Sequence, residues 1–157
     1  MMTRFAHTLH LPLLWTAIPF PKRQPLLFSP TRRRQVLSKS ECLSADVNAA
    51  FDPTFPDVLE KRNSSFINYG VCVTKFTGAR GKSGTSDASA EFVGRVRKLL
   101  DDNNVIWQTG ELGKVDLGGG GTVAAYIANL NVDTIDVGVP VLCMHAPFEI
   151  CLLYTSD

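Results

Sequence analysis

Two side chains of metal-ligating type stand about a hundred residues apart in similar settings. Asp46 lies in Leu43-Ser44-Ala45-Asp46-Val47, and His145 lies in Val141-Leu142-Cys143-Met144-His145-Ala146-Pro147. Each follows apolar residues that read as a buried strand. Aspartate offers a hard oxygen and histidine a neutral nitrogen, and both suit zinc or a similar divalent ion. Two donors do not complete a site, and plainer readings stand beside this one: Asp46 as a cap or loop carboxylate, His145 as a buried, hydrogen-bonded imidazole.

The glycine-rich stretches invite a nucleotide reading that fails on spacing. A phosphate loop requires GxxxxGK followed by Ser or Thr, so that consecutive amides cradle the phosphates. Gly78-Ala79-Arg80-Gly81-Lys82-Ser83 has the ending, but its first glycine falls two residues short. A dinucleotide GxGxxG pattern also fails at Gly118 to Gly121, because Val123 stands where the last glycine is required.

The elements that would position Asp46 and His145 alternate. Cys42 to Val47 reads as a short inner strand, and Asp52-Pro53 with Phe55-Pro56 as a turn-rich loop. Val71 to Phe76 is a β-branched run expected to form a strand. From Asp87 to Leu100 the period becomes helical, with Phe92, Val93, Val96, Leu99 and Leu100 on one stripe, Ser86 as the cap and Glu91 paired with Arg95. Arg95, Arg97 and Lys98 suit the negative end of that helix. Val105 to Gln108 resumes as strand. A second helix is expected over roughly Thr122 to Leu130, with Val123, Ile127 and Leu130 at helical spacing, and a strand over Thr134 to Val139. Strand, helix, strand, helix, strand predicts an α/β layer, a mixed or mostly parallel sheet covered by helices.

At 157 residues and 45% hydrophobic, the chain holds enough for one core. The net charge of +1 conceals an uneven distribution: residues 1–40 carry seven Lys/Arg and no acid, so residues 41–157 are net negative. An acidic folded part argues against a nucleic-acid surface, which needs a concentrated positive field. No run of eighteen apolar residues marks a membrane span. Residues 1–40, broken by Pro12, Pro19, Pro21, Pro25 and Pro30, read as irregular or foreign to the fold, though an Arg-rich, acid-free start is also shared by organelle import sequences. Cys42, Cys72, Cys143 and Cys151 follow no CxxC spacing and read as reduced, mostly buried thiols of an intracellular protein.

Several motifs, in order, resemble the M18 metalloaminopeptidases, the aspartyl-aminopeptidase-like family. They are Ser44-Ala45-Asp46, Tyr69-Gly70 with Val73-Thr74-Lys75, Gly81-Lys82-Ser83-Gly84, Gly110-Glu111-Leu112-Gly113-Lys114-Val115-Asp116, Gly118 through Thr122, and Met144-His145-Ala146-Pro147-Phe148-Glu149. The resemblance implies the C-terminal part of a zinc-aminopeptidase-like catalytic domain over residues 41–150, flanked by non-homologous segments 1–40 and 151–157. It implies a pair of divalent ions, usually zinc, that removes single N-terminal residues from peptide substrates in a cytoplasmic setting. By motif match Asp46 is a terminal ligand of one ion, His145 a terminal ligand of the other, and Lys75 a substrate-side lysine. A plainer reading makes Lys75 a strand-edge lysine. Full-length relatives form homo-oligomers; neither a nucleic acid nor a membrane is implied.

The departures are specific. The family's histidine, its bridging aspartate and its adjacent glutamates come from an earlier segment, and this chain has no Glu-Glu pair. No residue here matches the general base. Where eukaryotic members carry histidines three and six residues after the aspartate, this chain has Ala49 and Asp52. The leading expectation is a fragment of a metal-dependent aminopeptidase. Its main alternative is a catalytically inactive structural or interaction fragment with at most a weak single-metal site, and a third is an unrelated Gly-rich α/β binding module.

Overall fold

The computed structural model describes residues 29–78, 84–114 and 116–151. Residues 1–28, 79–83, 115 and 152–157 lie outside that set, and with them Gly81-Lys82-Ser83 and Val115 of the motifs. Helix α1 spans Pro30–Leu37, inside the segment expected to be irregular. Its start explains the difference. Ser29 accepts a hydrogen bond from the Arg32 amide at 3.2 Å and Pro30 takes the first helical position, where its missing N–H costs nothing.

Strands β1 (Glu41–Ser44), β3 (Val71–Thr74), β4 (Trp107–Thr109) and β5 (Asp133–Gly138) form a four-stranded sheet in the order β1-β5-β3-β4. β1 is parallel to β5 and β3 to β4, while β3 and β5 are antiparallel. The sheet is mixed and mainly parallel, with helices on it, as the alternating pattern predicts. β1 is not the inner strand expected: it lies at the sheet's edge, and Leu43 is 50% exposed.

A second, smaller sheet contains β2 (Asn48–Ala49), β6 (Pro140–Leu142) and β7 (Ile150–Cys151). β2 runs parallel to β6, and β6 pairs antiparallel with β7. The parallel pair β1/β5 therefore continues directly into the parallel pair β2/β6. The two chains leave the large sheet side by side, and the corner they turn contains Ala45 to Val47 on one chain and Val139 on the other.

Helix α2 (Ala90–Asp102) covers one face of the large sheet. Phe92 and Val96 are buried with Val73, Ala88 and Ile135, and Val93, Leu100, Trp107 and Val137 pack around them. Leu99, expected in that stripe, is exposed. The cap is Ser89 rather than Ser86, because Ala88 donates its amide to the Lys75 carbonyl at 2.9 Å and keeps the chain extended up to that point. Arg95 pairs with Glu41 and, at 3.7 Å, with Asp133, not with Glu91 as expected. The helix ends on Asp101 and Asp102, with no basic residue in its last turn.

Helix α3 (Ala124–Ala128) is shorter than expected and packs against β5 and β1. It buries Ala124 and leaves Val123 and Leu130 exposed, so the small residue and not the apolar stripe makes the contact. No helix among the described residues is long and apolar enough to cross a membrane.

Candidate metal-ligand and substrate residues

Asp46 sits at the corner between the sheets. Its carbonyl oxygen lies where a side chain on Gly138 would be, and the next strand is tied down by the Asn48 amide, which donates to the Val139 carbonyl at 3.1 Å. The Asp46 carboxylate is half-buried, and its Oδ1 accepts from the Val47 amide at 2.9 Å. That bond fixes the side chain locally.

Behind the corner lies a buried polar cluster that sequence reasoning missed. Asn48 Nδ2 donates to Thr74 Oγ1 at 2.6 Å and to Cys72 Sγ at 3.0 Å, joining the second sheet to β3. Thr74 stands directly opposite Asp136 on β5, and Ser44 aligns with Asp136 from β1. Asp136 is only 4% exposed; its Oδ2 accepts from Thr122 Oγ1 at 2.8 Å. Asn48 Oδ1 and Asp136 Oδ1 are buried without a hydrogen-bond partner among the described residues. The available signal was Asp136 between the apolar Ile135 and Val137 of a strand, a placement that is costly unless the carboxylate is engaged. Burial pushes the Cys72 thiol up, offset in part by hydrogen bonds from Thr74, Ser65 and Asn48.

His145 lies in the loop between β6 and β7 and is exposed, not the buried imidazole of the plainer reading. Its backbone is left-handed at φ +66°, as is that of Cys143 at φ +57°. The His145 amide donates to the Glu149 carboxylate across the turn, which holds the loop closed. The cysteine expectation is corrected in the same way: Cys72 is buried and Cys42 half-buried, but Cys143 and Cys151 are exposed, and all four are free thiols.

Lys75 follows β3 and is exposed. Its ammonium pairs with the Asp87 carboxylate, and an antiparallel bridge between Phe76 and Asp87 holds the two backbones together. Thr122, beside the cluster, also lines an open cleft of about 480 Å³ with Gly84, Thr85, Gly121, Val123 and Tyr126.

Among the described residues no hydrogen bond or ion pair joins Asp46, His145 and Lys75. Asp46 lies where β2 and β6 begin, whereas His145 lies past the end of β6. No group of three or more His, Cys, Asp or Glu among the described residues is placed to hold a metal ion. A catalytic zinc takes three protein ligands. The described residues therefore do not by themselves fit a two-metal centre.

Comparison with known proteins supplies the context. Residues 23–155 match the family described as aminopeptidase I zinc metalloprotease (M18). The chain is 53% identical over 117 residues to the probable M18 family aminopeptidase 1 of Clostridium acetobutylicum, covering 74% of this chain and 25% of that protein. The Thermotoga maritima relative is 52% identical over 116 residues. The crystal structure of aminopeptidase I from C. acetobutylicum superposes with a TM-score of 0.71 at 52% identity, over 75% of this chain and 26% of that one. The T. maritima aminopeptidase structure gives 0.74 at 49%, over 79% and 28%. The chain thus spans about a quarter of the length of the relatives it matches, and it belongs to the M18 family of metalloaminopeptidases.

Proposed function

We propose that this chain is the C-terminal part of an M18-type catalytic domain over residues 41–150, which presents ligands but does not turn over substrate by itself. The observation that supports this most directly is the pairing of a family match over residues 23–155 with coverage of only a quarter of the relatives. In this reading Asp46 and His145 are terminal ligands of two different zinc ions in a complete family site. Lys75 faces the N-terminal residue of a peptide. The remaining ligands and the general base come from family sequence that has no counterpart among the residues here. Alone, the chain holds at most one weakly bound ion and acts as a structural or interaction fragment.

The corner at Asp46 suits that role. A ligand at the junction of two sheets is held by backbone on both sides, which is how a site keeps its geometry without a complete coordination shell. The reading takes the setting as cytoplasmic, in keeping with four free thiols, and the parent as a homo-oligomer acting on peptides.

Hydrolysis of leucyl- and aspartyl-p-nitroanilide by the purified chain, with zinc added, tests the silence of the fragment. No turnover above the zinc blank is expected. Turnover that disappears in both Asp46→Ala and His145→Ala would overturn it and make this chain an enzyme in its own right.

A further inference from the structure

We propose that Asp87 governs the substrate class of the Lys75 side of the site by neutralising the lysine, so that neutral N-terminal residues are accepted and acidic ones gain nothing. The inference rests on the reading of Lys75 as a substrate-side lysine. It adds a residue that the motif resemblance does not contain.

The geometry is specific. Lys75 and Asp87 are twelve positions apart in sequence, yet their backbones are locked side by side by the Ala88 amide bond to the Lys75 carbonyl at 2.9 Å and by the bridge between Phe76 and Asp87. Their side chains then meet as an ion pair. Asp87 lies two residues before Ser89, the cap of α2, so the positive end of that helix favours a carboxylate there. Each side chain keeps about half its surface in water, 49% for Lys75 and 62% for Asp87. Lys75 is therefore reachable by a ligand while its charge is already matched. An incoming carboxylate must displace Asp87 or lie beside it, and either event cancels much of the attraction an unpaired lysine would offer.

An exposed pair of this kind is weak, so the bias is modest, about three- to five-fold in relative affinity. The probes are aspartic acid amide and leucinamide, titrated into the full chain and read from the NMR shift of the Lys75 side chain, assigned with Lys75→Arg. Asp87→Asn should raise the aspartic acid amide to leucinamide affinity ratio about three- to five-fold. Asp87→Glu should restore the wild-type ratio, and Lys75→Ala combined with Asp87→Asn should remove the gain. An unchanged ratio in Asp87→Asn, with Lys75 shifting on either probe, overturns the proposal alone, whereas no Lys75 shift with either probe overturns the Lys75 reading and the proposal with it. Its failure is distinguishable from failure of the fragment reading, because turnover by the chain tests that reading through Asp46 and His145, which the Asp87 variants leave intact.

Discussion

The carbonyl oxygen of Asp46 occupies the space that a Cβ on Gly138 would fill. Backbone, not a flexible side chain, is the obstacle, so neither strand can yield cheaply. Gly138→Ala should cost about 3 kcal/mol in urea denaturation and displace Asp46 from its corner. A variant of unchanged stability would show that the two strands do not turn the corner in contact.

Asp136 and Thr122 provide a second test. The carboxylate is buried, with one oxygen hydrogen-bonded to the threonine and the other unpartnered. Replacing a buried charge by a neutral group of the same shape is often harmless, whereas deleting a partner is not. Asp136→Asn should stay within about 1 kcal/mol of wild type, and Thr122→Val should lose about 1–3 kcal/mol. A loss above about 2 kcal/mol in Asp136→Asn would indicate that the charge itself is needed.

Cys72 makes stability depend on pH in the alkaline range. Burial raises its pKa in the folded chain above the ordinary 9.0, so above pH 9 the unfolded chain gives up a proton that the folded chain retains. Stability from this group is fully present below pH 9 and falls as pH rises toward the folded-state value. Denaturation midpoints at pH 8 and pH 10 should differ more for wild type than for Cys72→Ala. In the folded chain at pH 8, a disulfide reagent should label Cys143 and Cys151 well before Cys72, given their exposure.

Ser89 caps α2 through its bond from the Phe92 amide at 3.2 Å and also donates to Asp133 at 3.0 Å. Ser89→Ala should cost about 1–2 kcal/mol. Thermal melts of Ser89→Ala and Ser86→Ala separate the two candidate caps, and the larger loss belongs to Ser89.

Much of the fold was legible because it rests on local pattern. The stripe of Phe92, Val93, Val96 and Leu100 announced α2, and the β-branched run from Val71 announced β3. What sequence misplaced depends on distant partners. Ser86 looked like the cap because nothing local shows that Ala88 is held extended by Lys75. Glu91 looked like the partner of Arg95, but Glu41 reaches it from the edge strand. An edge strand and an inner strand have similar composition, so the exposure of Leu43 could not be read. Pro30 was read as a breaker when, after Ser29, it starts a helix. At the site, Asp46, His145 and Lys75 were legible as motif residues. The polar cluster was not: Thr74 and Thr122 stood in quoted motifs, but the bonds of Asn48 to Thr74 and of Thr122 to Asp136 arise only when β2, β3, β5 and the glycine-rich segment come together.

Zinc stoichiometry by isothermal titration calorimetry, on the wild-type chain and on Asp46→Ala and His145→Ala, tests the central claim most directly. The account predicts at most one ion at micromolar affinity or weaker, diminished by at least one of the two substitutions. Two tightly bound ions on the wild-type chain, or binding indifferent to both substitutions, would contradict it.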